Sequence, residues 1–245
     1  MPIWKKIYGK MGVIWFGFGF IFFMLMIFPF QYFLLKKEKK NVTHTLNKIW
    51  GRFILIWGGI RVKIHNSHYI QPKQVYVITP NHKSYLDIPA CHLLPLKQFR
   101  FIGKAELNHI PIFGWMFQRL HIPVQRNQAS AAARSFIMSQ RVLQSGVSMV
   151  IFPEGGIKRG QFLAPFKEGP FLLAIRLKIP ILPLVIINTD KIIPDTDNLY
   201  FFPLQTIHLH ILEPIPTDNM TENDLTTLKE KVWNLIHDNM IKQRA

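Results

Sequence analysis

Val75-Tyr76-Val77-Ile78-Thr79-Pro80-Asn81-His82-Lys83-Ser84-Tyr85-Leu86-Asp87 is the stretch from which the fold is read. Val75–Thr79 is an apolar, β-branched run of the kind found in strands buried on both faces, and Pro80 ends it. Leu86–Leu94 then reads as a helix. His82 and Asp87 stand five steps apart, which on a regular helix leaves them roughly 140° apart. A turn running into a first helical turn would instead fold Asp87 back onto the imidazole. Asp87 would then accept a hydrogen bond from Nδ1–H and leave Nε2 free to take a proton. No serine or cysteine stands where a nucleophile elbow would put one, so that proton would come from a substrate hydroxyl. With 10 histidines in the chain, the spacing alone is weak.

Outward from this stretch the same alternation repeats. Strands are expected at Arg61–His65 (an edge), Phe99–Gly103, Ile122–Val124, Val147–Phe152, Ile181–Ile187 and Ile207–Leu212. Helices are expected at Ile110–Leu120, Gln128–Gln144 and Phe166–Lys178, with an amphipathic helix after a Thr221/Asp224 capping box at the C-terminus. Residues 190–206 read as an irregular excursion. Strands alternating with helices predict an α/β fold, a largely parallel sheet flanked by helices.

Two further blocks strengthen the His82–Asp87 reading. Phe152-Pro153-Glu154-Gly155 lies at the end of a second apolar strand, and Phe101-Ile102-Gly103-Lys104-Ala105-Glu106-Leu107 lies between the two. A Pro-Glu-Gly-Gly turn leaves backbone amides open to a ligand, and its carboxylate can accept hydrogen bonds from hydroxyls. Strand ends are the usual location of sites in α/β folds. In order and content this set resembles the glycerolipid acyltransferase family, specifically its bacterial 1-acylglycerol-3-phosphate acyltransferases, over about residues 75 to 190.

The resemblance implies that His82 and Asp87 are catalytic and that Glu154 and Gly155 meet the glycerol part of the acceptor. It also implies that Lys104 and Arg126 lie along the acceptor pocket. The family's block most often continues Thr-Arg-Ser, whereas this chain has Gly156-Ile157-Lys158, so Ile157 replaces the arginine expected at the acceptor phosphate. Lys158 and Arg159 follow at once and are the substitute candidates, and Pro165-Phe166-Lys167-Glu168-Gly169 resumes the pattern.

A formal charge of +16 calls for an anionic partner: nucleic acid, an acidic membrane surface or a phosphorylated substrate. Many of the aromatics fall in one N-terminal stretch, which suits a membrane and argues against nucleic acid. Gly12–Leu35 carries no charge and exceeds the ~20 residues needed to cross a bilayer core. Lysines flank it on both sides, and a second, shorter apolar stretch, Ile49–Ile60, carries Arg52. A single span and a hairpin entering one leaflet are both compatible with this pattern, and the even basic flanks favour the hairpin. Residues 1–60 are therefore expected to anchor an α/β domain of residues 61–245. The lone Cys91 excludes an intrachain disulfide. His65 and His68 have no neighbouring Cys or carboxylate and read as surface residues, so no metal is expected.

The expected activity is acyl transfer at the cytoplasmic face of a bacterial inner membrane. The acceptor would be lysophosphatidate or a similar lyso-lipid, with acyl-CoA or acyl-carrier protein as co-substrate and no cofactor. Two rivals remain: an acyltransferase for another acceptor, such as a lyso-ornithine lipid, and a non-catalytic basic adaptor.

Overall fold

The computed structural model describes residues 2–125, 129–194 and 198–244. Two helices lead the chain, α1 (Ile3–Lys36) and α2 (Lys40–Trp57), each longer than the apolar stretch that announced it. They run antiparallel: Trp15 stacks on Trp57 at 4.1 Å, each indole N–H donates to the other residue's carbonyl, and Gln31 donates to Asn47 at 2.6 Å. The Trp57 ring lies so close to Gly19 that a Cβ there would sit 2.2 Å from it. Among the described residues, α1 alone is long and apolar enough to cross a membrane, with a mean hydropathy of 2.3. Trp4, Ile14, Phe18, Phe30 and Phe33 on it are each more than half exposed.

The chain then alternates. β1 (Arg61–His65) and β2 (Val77–Pro80) lead to the short α3 (Asp87–Cys91) and β3 (Phe99–Lys104). Next come α4 (Phe113–Leu120), β4 (Ile122–Val124), α5 (Ala129–Gln144) and β5 (Ser148–Val150). The last elements are α6 (Gly169–Leu177), β6 (Ile181–Ile187), α7 (Thr189–Ile192), β7 (Thr206–Ile211) and α8 (Leu225–Lys242). Helices start or stop where proline chemistry dictates. α3 ends well before Leu94, the residue ahead of Pro95, where helical backbone is disfavoured. α4 begins only after Pro111 and the positive φ of Ile112, and α6 waits for Pro170 in its first turn. The capping box at Thr221 and Asp224 is formed.

The strands make one seven-stranded sheet in the order β1-β7-β6-β2-β5-β3-β4, parallel throughout except for β6 with β7. Both faces are covered, which is why its central strands read as unbroken apolar runs. Ile78, Leu182, Leu184 and Ile186 pack with Leu55 of α2 and Ala90 of α3; Val77, Val185 and Ile187 pack with Phe171 of α6 and Val232 of α8. The irregular stretch before β7 has a job that the sequence does not announce: it straps α1 to the sheet. Phe201 N–H donates to the Gly9 carbonyl at 3.0 Å, and the Phe201 ring stacks on Phe16 at 4.4 Å. Gly12 permits this approach, since a Cβ there would meet the Phe201 carbonyl oxygen at 2.3 Å.

Candidate active site

β2 and β5 are parallel neighbours with Ile78 opposite Val150. His82 and Glu154 each lie four residues beyond those partners, so two loops leave the same end of the sheet side by side. Pro80, expected to end the strand, is instead its last paired residue, opposite Leu184, and the Asn81 side chain carries the pairing one residue further. The Asn81 side chain donates to the Ile186 carbonyl at 2.9 Å and accepts from Ile186 N–H at 2.7 Å, fixing the chain just before His82.

The turn after Asn81 closes on Asp87, the first residue of α3. Asp87 is fully buried, and its Oδ2 accepts from Lys83 N–H at 2.8 Å, Ser84 N–H at 2.9 Å and His82 Nδ1 at 2.8 Å. Backbone amides can only donate, so this oxygen is an acceptor and Nδ1 must carry the proton. His82 therefore presents Nε2 with its lone pair, the form of a general base. The ring is 9 % exposed and stacks on Phe152 at 3.9 Å, which leaves it little freedom to turn.

Glu154 is placed differently from a substrate ligand. It is buried; Oε1 accepts from His82 N–H at 2.6 Å and Oε2 from Ala164 N–H at 3.0 Å. Burial pushes its pKa up, opposed by those two amides and by Lys83 and His82. The carboxylate is thus a strut that fastens the loop after β5 to the backbone of the base itself, rather than a group lining the cavity. Gly155, at φ +75°, does line it, and the Lys167 side chain crosses so close that a Cβ on Gly155 would lie 2.6 Å from Lys167 Cε.

His82 opens on a cavity of about 750 Å³. Ile102, Ile151, Phe152, Phe136 and Leu173 give it apolar walls, and Lys104 and Lys167 are its lining cations. Lys104 sits 3.2 Å from Glu106, which also lines the space. Ile157 lines it too, whereas Lys158 and Arg159 are exposed and outside the lining. Arg126 lies outside the described residues. Lys167 was missed in sequence as a cavity residue; the available signal was the Pro165–Gly169 block, a return to the pattern just past the Pro-Glu-Gly-Gly turn. Its backbone N–H donates to the Pro153 carbonyl at 2.8 Å, which ties the two segments together.

Comparison with known proteins matches residues 61–187 to the family model described as Acyltransferase. The human protein named 1-acyl-sn-glycerol-3-phosphate acyltransferase alpha is 27 % identical over 182 residues, covering 71 % of this chain and 62 % of its own. The coconut (Cocos nucifera) protein named 1-acyl-sn-glycerol-3-phosphate acyltransferase is 26 % identical over 219 residues, 89 % of this chain and 68 % of that protein. This chain thus spans less than two thirds of the human relative's length. The crystal structure of the 1-acyl-sn-glycerophosphate acyltransferase PlsC from Thermotoga maritima superposes with a TM-score of 0.82 at 21 % identity, covering 98 % of this chain and 99 % of that one. That likeness establishes the fold.

Proposed function

The chain belongs to the acyltransferase family, and from that premise we propose that it moves a fatty acyl group from a thioester to the free hydroxyl of 1-acylglycerol 3-phosphate, giving phosphatidate. The observation that carries this reading is the His82 imidazole, with Nδ1 held as a donor by Asp87 and its other nitrogen free, in the wall of a cavity with an apolar side and two cations. The acceptor hydroxyl gives its proton to Nε2 as its oxygen bonds to the thioester carbonyl carbon. When the tetrahedral intermediate collapses, the carbon–sulfur bond breaks and the imidazolium returns the proton to the departing thiolate. Asp87 stabilises the imidazolium in between. Acyl-CoA or acyl-carrier protein is the donor in this proposal, and the +16 charge favours either anionic molecule.

Lys104 and Lys167 take the acceptor phosphate in this scheme, in place of the arginine that Ile157 replaces. The exposed aromatic face of α1, with lysines at both of its ends, supports a helical hairpin seated in one leaflet of an inner membrane. The cavity would then sit on the cytoplasmic side, where thioester donors are held. A second reading, a lyso-lipid acceptor without a phosphate monoester, is favoured by Ile157 lining the cavity. Thiol release from acyl-CoA, measured with lysophosphatidate, lyso-ornithine lipid and other lysophospholipids, separates the two. Preference for lysophosphatidate supports the first reading, and turnover of another acceptor without use of lysophosphatidate supports the second.

A further inference from the structure

The face of the sheet edge away from the Ile78 core carries three histidines that no step of acyl transfer uses. Val62 and Ile64 of β1 and Ile207, Leu209 and Ile211 of β7 point into that core. Strand alternation therefore turns Lys63, His65, His208 and His210 to the other face. β1 and β7 pair in parallel with His65 opposite His210 and Lys63 opposite His208. The rings of His65 and His210 stack at 4.2 Å, and those of His65 and His208 at 5.3 Å. His65 Nε2 and His208 Nδ1 stand 3.0 Å apart, and one ligand nitrogen from each of the three rings falls within 4.8 Å of the others.

We propose that His65, His208 and His210 form a binding site for a divalent transition-metal ion, with Zn(II) the expected occupant, that clamps β1 to β7. The donor set decides the metal class. Three imidazole nitrogens with no carboxylate suit zinc, copper or nickel, and offer nothing to magnesium or calcium, which require oxygen. Zn–N bonds of about 2.0–2.1 Å in tetrahedral geometry set nitrogens about 3.3 Å apart. The His65–His208 pair is already near that spacing, and rotation of the half-buried His65 and His208 rings closes the remaining distance to His210, whose nitrogen lies within 4.8 Å of theirs. A fourth position stays open to water, as in three-histidine zinc sites.

The rings must be neutral to bind. Lys63 is exposed and can carry its charge into water on a flexible stem. The clamp sits where it has mechanical meaning. β1 is the sheet's edge strand and follows α2 after only Gly58–Ile60, so a metal bridge would fix the strand through which the helix pair joins the sheet.

The test uses the full-length chain in detergent, stripped of metal with a chelator and titrated with Zn(II) by calorimetry, with Co(II) as a spectroscopic probe. One ion per chain is expected, with the intense visible bands of a tetrahedral Co(II) site. Zn(II) at about a hundredfold its Kd should raise Tm by roughly 5–10 °C. H65Q and H208Q should each weaken binding by at least about tenfold and remove the Tm rise, whereas H68Q should change neither. Absence of saturable binding overturns the proposal. So does binding that survives both H65Q and H208Q, or an ion held by His65 with His68, revealed by loss of binding in H68Q.

Discussion

The two ends of the cavity are built on different principles. At the reacting end, His82, Asp87 and Glu154 are buried; the backbone amides of Lys83 and Ser84 hold the Asp87 oxygen that accepts from His82 Nδ1, and Glu154 accepts from the His82 amide. At the cationic end, Lys104 and Lys167 are exposed lysines on flexible stems, beside Ile157. Proton transfer demands one tautomer in one orientation, so its residues are over-determined. Holding a phosphate demands positive charge within reach, which several lysines supply about equally well. The first end should therefore tolerate no substitution, and the second should degrade gradually and change which acceptor is used.

Asp87→Asn should have the largest effect of the substitutions around the base. The tautomer is no longer enforced and the imidazolium is unsupported, so turnover should fall by about 10²–10⁴-fold with KM little changed. Steady-state thiol release measures it, and a loss of less than tenfold would erase the distinction between the ends. Glu154→Ala should follow, through structure. The amides of His82 and Ala164 lose their acceptor, at a cost of about 2–4 kcal/mol in chemical unfolding. A stability unchanged within error would mean the strut carries no load. Lys167→Ala and Lys104→Ala should each lower kcat/KM on lysophosphatidate about ten- to a hundredfold while sparing an acceptor without a phosphate monoester. Lys158→Ala should do less, because Lys158 lies outside the cavity lining; the reverse order would relocate the phosphate.

The smallest effect should come from mild acid, acting on the support of the reacting end. His92, capping α3, is held down to about 4 by burial, and burial followed by His92 pushes His121 well below its ordinary value. The unfolded chain protonates these rings near pH 6.5 and the folded chain does not. Stability should therefore fall as pH drops from about 6.5 towards 4, with a cost of roughly 1 kcal/mol per histidine already at pH 6. Urea midpoints at pH 7.5 and 6 measure this, and equal midpoints would mean that these rings are not kept neutral.

What could be read in advance follows sequence distance. The His82–Asp87 contact closes within five residues, so spacing and turn logic reach it, and the sheet is legible because buried parallel strands are written as apolar runs. Glu154 was expected to meet the acceptor, and its strut role became visible only with the pairing of β2 and β5. The His65 site shows the same limit more sharply. Its local neighbour His68 supplies no ligand, while His208, 143 residues away, stands at hydrogen-bond distance because β1 pairs with β7. The Phe201 strap depends on Gly9 and Gly12 of α1, which in sequence are only small residues at the lysine-flanked start of an apolar run.

The most direct test of the reaction scheme is His82→Ala, assayed for thiol release on whichever lyso-lipid the wild-type protein turns over fastest, with thermal unfolding measured on the same preparation. An unchanged Tm with turnover reduced by about 10²–10⁴-fold or more is the expected result. Turnover near wild type in the folded variant would contradict the assignment of His82 as the base.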